Sequence, residues 1–436
     1  MMIALLGACM ALVNATNATC AEPLRLEDGR PLVCVYFFGH WWDPWKSDDE
    51  AIRRDLSEIR ESGVSVLALD HEWSQAIDGD WKWLDREHRL AREAGLRIIP
   101  WLSLKVWADL SAEPRRELIR DWYGVDLRLG TKQDGAPGSV QIWDEATIHA
   151  GAAYAAQYID RYRDQALLHL RWKGQVRPVV ALSVELAWDA GGFDDATNML
   201  FIRWLRERYA RVEDLNKAWG TAYATLWEVN PRDGEIFDYA NHAAGTGAHP
   251  AAVEDHIEFR AGMISDALGM MAARLRRTHP DVVILAELPY QFASDHPHAE
   301  GYRIGYAANP TCTESADILF FRATGLLNAK EADFLKDWTE RTGQPAILGY
   351  RTYSDWGNER APEETARIAD LYANQVAELG SGFAFYSWNE MVDCHVAPSP
   401  DDQQGKPFAI SAETSSRAKA LMSAMIRSYL HKLPEP

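Results

Sequence analysis

Carboxyl groups and indoles recur just past the ends of the apolar runs of this chain. The run Gly382-Phe383-Ala384-Phe385-Tyr386-Ser387 passes directly into Trp388, Asn389, Glu390 and, three residues on, Asp393. Other runs end in His40, Trp41 and Trp42; in Asp70, His71, Glu72 and Trp73; and in Trp101, Ser103, Lys105 and Trp107. Others again end in Glu185 and Trp188, in Glu287 and Tyr290, in Arg322, and in Arg351, Tyr353, Asp355 and Trp356. Flat aromatic rings suit the apolar C–H faces of a sugar, while Asp, Glu, Asn, His and Arg suit its hydroxyls. Hydrolysis of a glycosidic bond needs two carboxyl groups, one protonated and one ionised. The chain holds 18 Trp, and they concentrate at these run ends.

The pattern assigns a catalytic role to Glu390, acting with either Asp393 or Glu185. It assigns sugar binding to His40, Trp42, Asp70, Glu72, Trp101, Lys105, Glu287, Arg351, Tyr353, Asp355, Trp388 and Asn389. Trp388 is expected to stack on a ring and Asn389 to bond a hydroxyl. Burial among aromatics would raise one carboxyl pKa and keep it protonated as the general acid. The other would stay charged beside Arg351 or His40. A single strand-end Glu is more often a surface or capping group, and a single Trp more often core. The conjunction at many ends carries the reading.

Competing chemistries find less support. Asp70, His71 and Glu72 are adjacent and point in different directions, and the Asp-His-Pro-His run at 295–298 reads as a loop. Only His40 and His71 lie near run ends, so no metal centre is expected, and no cofactor. Nothing else supports a Schiff-base role for Lys105. The alternative of another class is a barrel that binds carbohydrate without cleaving it.

The elements that must position these groups are eight apolar runs separated by helical patterns. The runs are 31–38, 64–70, 97–104, 177–186, 281–289, 316–321, 345–350 and 382–387. Helical spacing appears near 48–62, 81–94, 145–166, 194–209, 211–219, 251–279, 328–342, 362–379 and 412–430. Continuous apolar runs bounded by helices are the mark of buried parallel strands. Eight of them predict an α/β fold, the (β/α)8 or TIM barrel, in which reacting groups sit at the C-terminal strand ends. A doubly wound sheet would place a phosphate-cradling turn after its first strand, but Gly39-His40-Trp41-Trp42-Asp43 is no such turn. The long gap at about 187–280, between the fourth and fifth strands, reads as a helical insertion over the barrel mouth. Residues 22–436 then form a single barrel domain.

The formal net charge of −19 repels nucleic acid and anionic membrane surfaces. Residues 1–21 read as a secretory signal peptide or a disordered leader, apolar to Val13 and then small and polar. Leu6-Gly7-Ala8-Cys9 resembles a lipoprotein processing site. A secreted or periplasmic protein is the corresponding expectation. No later apolar run is long enough to span a membrane. The five cysteines form neither a disulfide framework nor a zinc pattern, and Cys34 is expected as a small buried hydrophobe. The expected partner is a carbohydrate substrate; oligomeric state is left open.

Two stretches resemble known families. Trp388-Asn389-Glu390-Met391-Val392-Asp393 resembles the W/Y-N-E-x-x-E run closing the last strand of endo-α-mannosidase-like glycoside hydrolases. It also resembles the W-N-D version of fungal α-1,3-glucanases. Residues 35–45 resemble the first strand of that group. This resemblance implies Glu390 and Asp393 as the acids of the active centre, the second being Asp rather than Glu. Residues 201–229, including Leu215-Asn216-Lys217-Ala218-Trp219-Gly220, resemble the helical segment after strand four in barrel-type bacterial β-galactosidases. That resemblance implies Glu185 as acid/base, here preceded by Val184 rather than Asn. Its nucleophile would end strand seven, where this chain offers only Asp355. Both imply a barrel glycoside hydrolase, with different catalytic pairs.

Overall fold

The computed structural model describes residues 22–39, 45–71, 76, 81–102, 113–182, 191–289, 315–323, 325–351, 357–391 and 411–434. Eight parallel strands close on themselves: β1 (Val33–Tyr36), β2 (Val66–Asp70), β3 (Arg97–Trp101), β7 (Gln175–Ala181), β8 (Val283–Pro289), β9 (Ile318–Ala323), β10 (Ala346–Arg351) and β11 (Gly382–Tyr386). The closing pair is β3 with β7, through Trp101 opposite Ala181. The remaining strands are antiparallel: β4 (Leu129–Thr131) with β5 (Pro137–Val140), and β6 (His169–Trp172) with β7. All eight expected strands are present, and the (β/α)8 barrel stands. The two hairpins were not expected. The β6–β7 turn sets Lys173 at φ 49° and Gly174 at φ 78°. Two successive left-handed residues make the tight turn whose twist suits a hairpin.

Each strand alternates its side chains between two cores. Cys34 and Tyr36 of β1 point into the barrel, with Val66, Ala68, Ile99, Val179, Ala181, Val283, Leu285, Ile318, Phe320, Ile347 and Ala384. Val33 and Val35 point out to the helices, with Leu67, Leu69, Leu319, Phe321, Leu348, Phe383 and Phe385. Leu24, Leu26, Leu32, Leu168 and Leu170 join the inner core at the N-terminal end of the strands. Leu26 bridges Leu170 of β6, so an apolar plug fills the lower opening. Cys34 lies within this core, where burial pushes its thiol pKa up.

The helices are α1 (Asp49–Glu61), α2 (Lys82–Glu93), α3 (Glu113–Tyr123), α4 (Glu145–Tyr162), α5 (Asp195–Arg208), α6 (Val212–Trp219), α7 (Tyr239–Ala243), α8 (Pro250–Thr278), α9 (Ala329–Thr342), α10 (Pro362–Leu379), α11 (Trp388–Met391) and α12 (Ala412–Lys432). Their starts follow side-chain capping: Asp48, Asp144, Asp194 and Ser411 each accept from a backbone N–H of the first turn, and Asn328 with Glu331 forms a capping box. Helices α5 to α7 and the first half of α8 enclose a separate core of Phe201, Leu205, Leu215, Trp219, Phe237 and Ile257. The second half of α8, from Ala261 to Leu275, packs on the barrel instead. With 29 residues α8 is about 43 Å long and outreaches the strand it precedes. It runs antiparallel to β8, so its first half rises past the C-terminal strand ends. No described helix is long and apolar enough to cross a membrane.

A fully buried polar chain locks the end of β2 to the helices behind it. His71 Nε2 lies 2.6 Å from Glu87 Oε2, and its Nδ1 meets the Tyr158 hydroxyl, which also lies 2.6 Å from His88 Nε2. With Glu87 as a carboxylate, His71 donates from Nε2 and accepts the Tyr158 proton at Nδ1. His88 then donates to the Tyr158 oxygen. Tyr154 closes the set by donating to the His71 carbonyl at 2.7 Å. His88 also stacks on Tyr162 at 3.7 Å. Burial holds the His88 imidazole well below its ordinary pKa, helped by His71 and opposed by Glu87.

Two outcomes follow from this packing. A Cβ at Gly349 would stand 2.6 Å from the Phe320 ring inside the barrel, whereas one on exposed Gly262 of α8 would meet nothing within 4 Å. In urea unfolding, Gly349→Ala should cost about 1–3 kcal/mol through overpacking. Gly262→Ala should gain roughly 0.5–1 kcal/mol from helix propensity. Equal effects would contradict the assigned inner face of β10. The second outcome concerns pH. The unfolded chain protonates His88 near its ordinary value of 6.5 and the folded chain does not. Stability is therefore full above that value and falls as pH drops below it, by up to about 1.4 kcal/mol per pH unit. His88→Gln should show a shallower loss between about pH 6.5 and 5; identical slopes would mean that His88 is charged in the fold.

Candidate active site

The inner strip of the barrel is apolar from the plug upwards and turns polar at its last inward positions. Glu287 of β8 sits there with only 5% of its side chain exposed. Its Oε2 accepts from the Trp101 indole N–H at 2.8 Å, and its Oε1 lies 2.9 Å from Arg322 Nε of β9. The Arg322 guanidinium also stands over the Tyr386 ring, 5.7 Å from its centroid. Tyr36 of β1 packs between Trp101 and Tyr386, with ring centroids 5.2 and 4.9 Å away. Asp70 ends β2 opposite Trp101 and is partly exposed. Six strands thus deliver two carboxylates, a guanidinium and three large aromatic rings to one end of the barrel.

Several expected site residues meet here. Asp70, Trp101 and Glu287 lie together at the mouth end of the strands. Trp101 is 2% exposed and its N–H is engaged by Glu287, so it orients that carboxylate as well as lining the strip. Arg351 ends β10, and its backbone pairs with Tyr386. Glu390 lies in α11, which follows β11. The side chains of Arg351 and Glu390 fall outside the described residues, as do Glu185, Asp393, His40, Trp42, Glu72, Lys105, Tyr353 and Asp355 in full.

The expected roles of Trp388 and Asn389 need correction. Trp388 has no exposed surface and belongs to the outer core between the barrel and the helices. Lys419 of α12 stands over its ring at 4.8 Å. Its N–H faces the Asp55 carboxyl of α1, a looser approach than the 2.6 Å bond from Trp45 Nε1. Burial raises the Asp55 pKa, opposed by these two indoles and by Lys419. An indole enclosed in this way has no face left for a sugar. Asn389 is also fully buried, and its Oδ1 accepts from the Phe38 backbone N–H at 2.7 Å. It ties the segment after β1 to the segment after β11. Both residues hold the mouth in place from behind.

Tyr36, Tyr386 and Arg322 were not assigned to the site from sequence. Their signal was the two-residue alternation: Tyr36 continues the inward series from Cys34, Arg322 that from Phe320, and Tyr386 that from Ala384. Among the described residues no group of three or more His, Cys, Asp or Glu side chains could hold a metal ion.

Removing one half of a buried ion pair leaves an uncompensated charge. Arg322→Met should therefore cost about 3–5 kcal/mol in denaturant unfolding. Adding Glu287→Leu should recover much of that loss, because two apolar groups replace the pair. Additive losses in the double variant would show that the two charges are not coupled.

Comparison with known proteins adds a second line of observation. The β-galactosidase family, glycoside hydrolase family 42, matches residues 179–304, from β7 through the insertion and past β8. A β-galactosidase of Geobacillus kaustophilus is 22% identical over 378 residues, covering 81% of this chain and 50% of the relative. The chain thus spans about half the length of the curated relatives it matches first. A β-galactosidase from Rahnella sp. R3 superposes with a TM-score of 0.57 at 13% identity, over 95% of this chain and 62% of that one. The catalytic domain of a β-amylase from Paenibacillus polymyxa does so with a TM-score of 0.55 at 14% identity, over 89% and 97%. At these identities the shared property is the fold, a closed (β/α)8 barrel.

Proposed function

We propose that this barrel is a glycoside hydrolase cleaving O-glycosidic bonds of an oligo- or polysaccharide at its C-terminal mouth. The observation that carries the proposal is the buried Glu287–Arg322–Trp101 set. It stands at the top of a barrel whose described interior below it is apolar and whose bottom is plugged. Polar groups ordered in this way cost stability and suit a hydroxyl-rich ligand. The family match over 179–304 supports the same reading, since that range includes Glu185. β-Galactosides are the first substrates to test, by the names of the relatives.

The proposed reaction uses two carboxyl groups. One protonates the departing glycosidic oxygen, and the other attacks the anomeric carbon or activates a water to do so. Glu390 is one member, with Glu185 or Asp393 as the other. The resemblance to endo-α-mannosidase-like enzymes favours Asp393, and the match to β-galactosidases favours Glu185. A carboxyl separation near 5–5.5 Å would retain the anomeric configuration, and roughly 6.5–9.5 Å would invert it.

A panel of aryl glycosides assayed with the purified chain tests the proposal. Glu390→Gln should lower kcat by about 100-fold or more on the cleaved substrate, and so should Glu185→Gln if Glu185 is the second acid. A near-normal rate in either variant removes that residue from the mechanism. Sugar binding without any cleavage across the panel would replace the hydrolase with a carbohydrate-binding barrel.

A further inference from the structure

We propose that the Tyr36 hydroxyl, with the Glu287 carboxylate fixed by Arg322, forms the floor of the mouth and grips one hydroxyl of a neutral sugar. The inference rests on the carbohydrate reading of the site and adds to it a binding group and the kind of ligand atom it takes.

Tyr36 is only 4% exposed, and its ring is held on several sides. Trp101 and Tyr386 flank it at 5.2 and 4.9 Å, and Phe320 meets it edge-on at 5.9 Å. Its hydroxyl is shielded from solvent and has no hydrogen-bond partner among the described residues. The buried tyrosines of α4 spend theirs: Tyr154 donates to the His71 carbonyl, Tyr158 joins two histidines, and Tyr162 donates to Asp85. A buried donor left without a partner costs stability, and such a group in a native fold calls for an explanation. Phenylalanine would fill the same space between the rings without that cost.

The surroundings specify what the hydroxyl faces. Glu287 and Asp70 are close enough to bear on its ionisation, and the Arg322 charge opposes them. Burial first, and Glu287 next, hold the phenol pKa well above its ordinary value, so it stays protonated as a donor. Phenol and carboxylate together offer one donor and one acceptor. An alcohol oxygen accepts from the first and donates its own proton to the second. The carboxylates disfavour an anionic ligand at this point, and Arg322 disfavours a cationic one. A sugar hydroxyl meets both requirements.

Full-length Tyr36→Phe tests this by titration calorimetry with galactose, glucose, mannose and the monodeoxy forms of whichever sugar binds. The variant should bind that sugar about ten-fold more weakly, the loss of one hydrogen bond. It should melt no lower than the wild type. One monodeoxy sugar should bind both proteins equally, which identifies the gripped hydroxyl. As a check that needs no substitution to phenylalanine, 3-fluorotyrosine at position 36 should shift its 19F resonance when the sugar is added. Unchanged affinity of Tyr36→Phe for every sugar, or an unmoved 19F signal at saturation, overturns the inference and leaves the hydrolase proposal standing. A wild-type protein that neither binds nor cleaves any of the sugars overturns both.

Discussion

The two-residue repeat of the strands is the constraint on which the rest depends. Once eight strands close into a barrel, each side chain is committed to the inside or to the helix layer. Inside, Val66, Ile99, Val283 and Ile318 meet around the axis, and below them Leu24, Leu26, Leu168 and Leu170 seal the end. Polar groups placed lower in that strip would be buried without ligands or water. They are tolerated at its top, where Glu287 and Arg322 neutralise each other and the Trp101 N–H supports the carboxylate. The charge pair is thus confined to one end of the molecule by the energetics of burial.

Two structures behind the strand ends keep that end in register. The Glu87–His71–Tyr158–His88 chain holds the residue that follows Asp70, and every link in it is buried. On another side of the barrel, Asn389 joins the Phe38 backbone, and Trp388 fills the space beside Asp55 and under Lys419. Each fixes the point where a strand gives way to a loop, and so fixes where the next residues begin.

The fold was legible because buried parallel strands leave long apolar runs, and each barrel run had a helical pattern on at least one side. The short β6–β7 hairpin was not, because residues 169–177 mix charged with apolar side chains and leave no continuous apolar run. Glu287 and Trp101 were named from their place at strand ends, and the structure brings the two together. Trp388 was misread for a geometric reason. In β11 Ala384 and Tyr386 face inwards, and continued alternation would have sent Trp388 inwards too. The chain leaves the strand at Ser387 and winds into α11, and that rotation carries the indole to the outer core. Tyr36 was overlooked because, beside the carboxylates and indoles of the run ends, an aromatic within a strand reads as core. Only the three-dimensional structure shows its ring packed between Trp101, which bonds Glu287, and Tyr386.

Helix α8 belongs to two cores at once. Ala261, Ile264, Leu268 and Leu275 pack on the barrel, while Val253, Ile257 and Phe259 pack within the insertion. One continuous helix therefore serves as a mast: it is stepped in the barrel wall and carries the small helical canopy at its upper end. A canopy rigged in this way has no slack joint on that side. To lean over or away from the opening it must either tilt the whole mast, disturbing the wall beside β8, or part the hydrogen bonds near Arg260.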